Sequence, residues 1–176
     1  MYSATVRFNS YLAFMVFAVV VICGCRTTGL TSKAASTLRL HIEVSPDGTP
    51  RNLAVPIFRE RPVLIYIEKE PIVHELMIDE AKLVEAHDGF SIQVKFNSQG
   101  AGLLTNYALS YKGRRVAIFS QFGDAASQAR WLAAPLMSQC ITNGVLTFTP
   151  DATRNEAERI VLGLNNVAKT VKKRRL

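Results

Sequence analysis

A run of twelve apolar or aromatic residues, Tyr11 to Ile22, places the strongest constraint on what this chain can become. The run is shorter than the roughly 20 apolar residues that a helix needs to cross a bilayer, and it follows a short segment that carries Arg7. This arrangement is typical of a secretory signal peptide. We therefore predict that residues 1–24 are removed and that the rest of the chain works outside the cytoplasm.

The end of this run, Ile-Cys-Gly-Cys at positions 22–25, resembles the lipobox at which bacterial lipoprotein precursors are cut and acylated. Gly24 supplies the small residue before the cut, whereas a cut one cysteine earlier would place the bulky Ile22 there. Cys25 is therefore the predicted lipidation site, and an uncleaved N-terminal anchor is the alternative. The resemblance implies a membrane-anchored lipoprotein of the bacterial cell envelope that faces the periplasm. Because Arg26 stands where an aspartate often retains lipoproteins in an inner membrane, the outer membrane is favoured.

The residues after position 24 suffice for one domain that buries roughly 70% of its unfolded surface. We predict a flexible polar tether over residues 25–37, one domain over 38–168 and a basic C-terminal tail over 169–176. Processing would leave Cys140 as the one free thiol, so no intramolecular disulfide is expected. Cys140 follows Met137 and precedes Ile141, which favours a small buried side chain over a nucleophile.

The net charge of +7 is concentrated at the C-terminal end. Five of the basic residues lie within the last eight positions, which leaves the central domain nearly neutral. The charge therefore does not indicate a nucleic-acid-binding face, and no nucleic-acid partner is expected. Two interpretations of the basic end stay open: a solvated helix end whose cations complement the helix dipole, and a segment attracted to anionic lipid.

Hydrophobic periodicity predicts an α+β fold, with a mainly antiparallel sheet and two principal helices packed on one face. The Asp-Gly pair at 88–89 indicates a hairpin, and Thr149 or Thr153 is the expected start of the last helix. The predicted strands cover Leu38–Val44, Pro62–Ile67, Lys82–Ala86, Phe90–Phe96, Arg115–Phe119, Leu136–Ile141 and Val145–Thr149. The predicted helices cover Ser98–Gly113, Asp124–Ala134 and the stretch after residue 149, with Ala157, Ile160, Val161, Leu164, Ala168 and Val171 on one face.

No pattern of catalytic, cofactor-binding or metal-ligating residues is recognisable. His74-Glu75-Leu76-Met77-Ile78 lacks the second histidine of the zinc-protease pattern, and Gly100-Ala101-Gly102 lacks the lysine of a phosphate-binding loop. The carboxylates between Glu68 and Asp88 show no spacing that singles out an acid and its partner. Trp131, near Phe119 and Phe122, is interpreted as part of a buried aromatic cluster in preference to a peptide or sugar platform. We expect a protein that is not an enzyme.

Several short stretches, taken in order, resemble the head of the large periplasmic domain of SecD, in the SecDF protein-export family. They include Asp79-Glu80-Ala81, Val94-Lys95-Phe96-Asn97, Lys112 to Ile118, Ala134-Pro135-Leu136, Ile141-Thr142-Asn143-Gly144 and Glu156-Ala157. Each is a turn or core fragment, so the shared order carries the resemblance, which covers about residues 60–168. Residues 120–133 and 150–155 are longer than the family's connections at those points.

The resemblance implies a detached head that captures emerging polypeptide and is mounted on lipid. No apolar run after residue 25 is long enough to span a membrane, so the chain is not expected to be a proton-driven export motor. The expected partners are the membrane, through the lipid anchor, and unfolded polypeptide or another envelope protein. A scaffolding lipoprotein and, more distantly, a hydrolase are the alternatives. A polypeptide binder should show an exposed apolar groove beside its sheet, and a scaffold should show a flat patch without a groove. A hydrolase should bring polar groups together with shifted pKa values.

Overall fold

The computed structural model describes residues 34–87, 89–137 and 141–175. The strands are β1 (Arg39–Ile42), β2 (Asn52–Ile57), β3 (Val63–Glu68), β4 (Ile78–Ala86), β5 (Gly89–Phe96), β6 (Val116–Phe122), β7 (Gln128–Ala133), β8 (Ile141–Thr142) and β9 (Val145–Phe148). The long helices are α1 (Ser98–Ser110) and α2 (Arg154–Arg175), and short 3-10 turns cover Glu75–Met77 and Asp124–Ala126. The predicted lipidation site, Cys25, and Cys140 lie outside the described residues.

All strand pairs are antiparallel, which confirms the predicted α+β class. The strands in the described part of the chain divide into three sheets, where the sequence predicted one. Their orders are β1-β6-β7, β2-β3 and β4-β5-β9-β8. The main core lies among the first and third sheets and the two helices, and a smaller core lies under β2-β3.

Strand β1 is buried along most of its length. The alternation around Leu40 predicted a strand with one solvent-facing side, yet His41 is buried together with Leu40 and Ile42. The His41 ring instead packs edge-on against Trp131, with ring centroids 5.3 Å apart. The prediction of a half-buried strand was therefore wrong, because a second layer covers the face that carries His41.

The hairpin and the first helix form where local signals placed them. Ala86 pairs with Gly89 across the predicted turn between β4 and β5. Helix α1 is capped one residue earlier than predicted: the side chain of Asn97, not that of Ser98, accepts a hydrogen bond from the Gly100 N–H at 2.9 Å. Gly113, at φ +82°, occupies the turn after the helix, where a left-handed backbone favours glycine.

Helix α2 begins at the second of the two predicted starts. The Thr153 backbone N–H donates to Glu156 Oε2 at 2.8 Å, and the Glu156 N–H donates to Thr153 Oγ1 at 3.3 Å, which forms a capping box. Arg130 from β7 donates to both Glu156 carboxylate oxygens at 3.0 Å. These bonds from Arg130 lower the pKa of Glu156 to about 2. The cap of α2 is thereby fixed to the first sheet.

The buried face of α2 agrees with the predicted stripe, since Ala157, Ile160, Leu164 and Ala168 are buried. The helix continues through the basic residues 169–175. At the other end of the described chain, Ser36 is buried and its hydroxyl donates to the Arg159 carbonyl at 3.4 Å. Packed structure thus begins before Leu38.

The helix predicted over Asp124–Ala134 is absent, and that prediction was wrong. A 3-10 turn at Asp124–Ala126 leads into β7, which pairs with β6. The residues of β7 have helix-compatible spacing, but pairing with β6 decides their conformation. Of the strand predicted over Leu136–Ile141, Leu136 forms an isolated bridge with Arg115 and Ile141 belongs to β8, while residues 138–140 lie outside the described residues.

Candidate functional site

The hairpin of β2 and β3 has one buried and one open face. Val55, Ile57, Ile65 and Ile67 point inward and form the smaller core with Ala117 of β6. Trp131 and Ala134 pack against the same cluster. Side chains alternate between the two faces of a strand, so the residues between these inward ones point away from the protein.

The outward residues are apolar. Ala54 lies opposite Tyr66, and Pro56 lies opposite Leu64, so the four side chains adjoin one another on one face of the hairpin. Leu64 is 60% exposed and Tyr66 is 37% exposed. A single exposed leucine is ordinary on a protein surface, whereas adjoining apolar side chains on an uncovered sheet face are typical of an interaction site. We call Ala54, Pro56, Leu64 and Tyr66 the outer apolar face.

Further apolar side chains lie at the ends of the hairpin. Leu53 and Val63 are exposed near the strand ends, and Phe58 is exposed immediately after β2. Phe58 has φ +68°, a conformation that a bulky side chain rarely adopts. By strand alternation Leu53 and Val63 lie on the inward side of the hairpin, at its exposed ends, and they are not part of the outer apolar face.

The outer edge of β2 is open within the described part of the chain. There β2 pairs with β3 alone, whereas β3 also meets the segment after β1, where the Val44 N–H donates to the Tyr66 carbonyl at 2.8 Å. Pro56 lies in β2, as expected for an edge strand, because proline has no N–H to donate. An open edge beside an apolar face offers both backbone and side-chain contacts to an extended segment.

Both ends of the hairpin are fixed to the rest of the protein. At one end, His41 Nδ1 lies 2.9 Å from the Glu68 carbonyl oxygen, and burial lowers the pKa of His41, which favours the neutral ring. At the other end, the Arg59 N–H donates to Asp151 Oδ2 at 2.8 Å, and the Arg59 side chain pairs with the same carboxylate at 3.2 Å. The outer apolar face is therefore held in a defined position.

A groove of about 470 Å³ lies at the turn of the hairpin. Its lining is mixed: Phe58 and Pro150 are apolar, while Arg59, Glu60 and Asp151 bring charge. The exposed surface of the third sheet is mainly polar. A shallow site there is lined by Glu80, Lys82, Gln93, Lys95 and Val145. Of these three surfaces, the outer apolar face has the most uniform apolar character.

The residues considered for chemistry do not come together. His74 lies before a 3-10 turn, His87 lies in the β4–β5 turn, and His41 lies in the core of the first sheet. Among the described residues, no three histidine, cysteine or acidic side chains are grouped as metal ligands. A Cβ at Gly100 would lie 3.1 Å from the Cβ atoms of Met77 and Phe96, so this glycine serves close packing.

The aromatic cluster predicted around Trp131 is only partly present. The Trp131 ring centroid lies 5.0 Å from that of Phe119, and both side chains are half-buried. Phe122 is fully buried in the main core, whereas Trp131 packs against the smaller one. The strand β2, by contrast, was missed in the sequence. Its run Leu-Ala-Val-Pro-Ile does not alternate between apolar and polar residues, because both faces of the strand are apolar. Pro56 is also a residue that usually indicates a break in a strand. The uniformly apolar composition on either side of the proline was the available signal.

No protein-family model and no curated protein sequence matches the chain. Solved structures of SecDF are similar to it. A crystal structure of SecDF in a super-membrane-facing form matches 76% of this chain and 19% of its own, with 20% identity and a TM-score of 0.53. A structure of SecDF described as a membrane component that enhances protein export matches 87% of this chain and 68% of its own, with 17% identity and a TM-score of 0.52.

At these identities the likeness establishes the fold. The resemblance to SecDF that the sequence predicted is therefore confirmed: this chain has a SecD-like fold, and it spans about a fifth of the first SecDF chain. No helix in the described ranges is long and apolar enough to cross a membrane.

Proposed function

We propose that this protein is a lipid-anchored, non-enzymatic binding module of the bacterial cell envelope that captures unfolded polypeptide during or after protein export. The observation that carries this proposal is the outer apolar face, set on a SecD-like fold and beside the open edge of β2. Cys25 is the proposed lipid attachment site. Attachment there would keep the domain at a membrane surface that faces the periplasm, the compartment that exported chains enter.

The physical match is between an uncovered strand pair and an extended chain. An unfolded segment offers free backbone N–H and C=O groups to the edge of β2 and scattered apolar side chains to Leu64 and Tyr66. Because Pro56 has no N–H, that edge has one hydrogen-bond donor fewer. Side-chain contacts therefore contribute a larger share of the binding free energy. Ordering the segment offsets much of the contact energy, and we expect micromolar or weaker affinity.

A non-enzymatic role is supported by the contacts of Glu156, the carboxylate with the larger lowering of its pKa. Glu156, whose pKa is about 2, completes the cap of α2 and pairs with Arg130. That arrangement stabilises a helix start and leaves the carboxylate engaged. A scaffolding lipoprotein is the second candidate, because the outer apolar face would also suit a folded partner.

Titration of the full-length protein in detergent with an unfolded secreted protein, and separately with its folded form, distinguishes these functions. We expect binding to the unfolded form and at least about tenfold weaker binding by Leu64→Asp, which corresponds to about 1.4 kcal/mol. The reason is that a carboxylate on the outer apolar face would have to lose water wherever an apolar segment covers it.

The matched control is Leu162→Asp. Leu162 lies on α2 and is 55% exposed, close to the exposure of Leu64, so its replacement should leave binding unchanged. Equal binding to the folded and unfolded forms would contradict capture and favour the scaffold. The absence of binding up to about 1 mM, or roughly −4 kcal/mol, would reject capture as well.

A further inference from the structure

A second apolar surface lies along the C-terminal half of α2. It is a groove of about 280 Å³ whose apolar lining comes from Ala35, Leu76, Val167 and Val171, with Arg174 at its margin. Leu76, on the 3-10 turn before β4, is 47% exposed. A large exposed leucine beside a concave apolar surface is suited to a partner that accepts apolar side chains.

Three cations lie on the part of α2 that borders this groove, and one of them, Arg174, lines it. Lys169, Lys173 and Arg174 are exposed, and within the described chain none of them forms an ion pair. Lys172 differs, because its Nζ lies 3.6 Å from Asp79 Oδ1. Glu75, next to Leu76, is a nearby carboxylate with one oxygen buried. The three cations outside ion pairs outnumber this carboxylate, so this end of α2 and the adjoining groove are positively charged.

The N-terminal part of the described chain reaches the domain at the same place. Asn166 Nδ2 donates to the Ala34 carbonyl at 2.9 Å, and Ala35 lines the groove. Ala34 follows Cys25 by nine positions, and that length of chain spans at most about 30 Å. A lipid on Cys25 would hold the groove within that distance of a membrane.

We propose that the groove and its cations, which we call the basic groove (Leu76, Val167, Val171, Lys169, Lys173 and Arg174), dock onto an anionic lipid surface. Leu76 enters the headgroup region, while the three cations face the anionic phosphates. The inference rests on the proposed anchor for proximity, and the docking itself depends on charge and exposed apolar area. It would orient the domain on the membrane.

The test is amide hydrogen exchange of the full-length protein mixed with vesicles of phosphatidylcholine, or of phosphatidylcholine with phosphatidylglycerol. At about 10 mM salt, where electrostatic reach is roughly 30 Å, phosphatidylglycerol should slow exchange at residues 74–77 and 169–175 severalfold. The slowing should disappear at higher salt, because the reach falls to roughly 8 Å at about 0.15 M. Identical exchange with both vesicle types overturns docking.

Two variants locate the effect. Replacing Lys169, Lys173 and Arg174 together with glutamine should abolish the slowing, and Leu76→Ser should reduce it without a change in charge. The control replaces three other exposed cations, Arg51, Arg61 and Lys112, with glutamine and should retain the slowing. Slowing that survives in the first variant overturns the assignment of docking to these cations.

Flotation of the same mixtures separates docking from the anchor. Protein that floats with phosphatidylcholine alone but shows no phosphatidylglycerol-dependent slowing contradicts docking and supports the anchor. Protein that fails to float with phosphatidylcholine but is slowed by phosphatidylglycerol contradicts the anchor and supports docking.

Discussion

Gly163→Ala is expected to destabilise the fold, although glycine-to-alanine changes inside helices usually stabilise by roughly 0.5–1 kcal/mol. A Cβ at Gly163 would lie 2.6 Å from the Ser36 backbone nitrogen and 2.8 Å from its Cβ, and it would also meet the Ser36 hydroxyl. Relief would require residues 34–37 to move away from α2, although Thr37 is bonded to Gln121 of β6. We expect a loss of about 1–3 kcal/mol in the free energy of unfolding, measured by urea denaturation.

The control for this prediction is Gly102→Ala. Gly102 lies inside α1, and a Cβ there would have no neighbour within 4 Å. Only the helix propensity should change, so we expect a gain of roughly 0.5–1 kcal/mol. A gain at Gly163 equal to that at Gly102 would show that the N-terminal segment does not pack closely on α2.

Cys25→Ala is expected to abolish lipid attachment altogether. Stable attachment to a membrane takes more than one acyl chain, at about 0.8 kcal/mol for each buried methylene, and Cys25 is the one residue proposed to carry them. The variant should accumulate as an unprocessed precursor that incorporates no radioactive fatty acid, as measured by gel autoradiography of labelled cells.

The adjacent cysteine provides the matched control. Cys23→Ala should be processed and labelled as the natural sequence is, because Gly24 still precedes Cys25. Equal label in Cys25→Ala and in the unaltered protein would end the lipoprotein interpretation. That result would not affect the description of the fold or of the outer apolar face.

The elements that the sequence predicted well are those set by neighbouring residues. Thr153 and Glu156 stand three positions apart and cap α2. The β4–β5 hairpin forms where the Asp-Gly pair predicted it, and there Ala86 pairs with Gly89. The buried stripe on α2 follows from the helical period, since Ile160 and Leu164 are one turn apart. Such signals need no knowledge of the rest of the chain.

Long-range pairing decided the elements that the sequence did not predict. Trp131 belongs to a segment with helix-compatible spacing, yet it pairs with Phe119 of β6 as part of a strand. His41 alternates with apolar residues as a solvent-facing side chain would, yet β3 and Trp131 cover it. Neither contact can be inferred from local pattern, because each depends on which strands become neighbours.

The outer apolar face was only partly predictable. The strand that carries Leu64 and Tyr66 was expected, but nothing in a continuous apolar run indicates which residues point outward. That direction was fixed by the burial of Ile65 and Ile67 over the first sheet. The other strand of the hairpin, β2, was not predicted, because Pro56 is typical of a strand break. The outer apolar face could therefore not be assembled from the sequence.

The most direct test of polypeptide capture is photo-crosslinking from within the outer apolar face. A photoreactive phenylalanine analogue at position 64 of the full-length protein should crosslink to an unfolded secreted polypeptide during export. The same analogue at position 162, a leucine site of similar exposure on α2, should give little product. The predicted result is strong crosslinking at position 64 and weak crosslinking at position 162. Equal yields at both positions would contradict capture, and so would products at position 64 with folded partners alone.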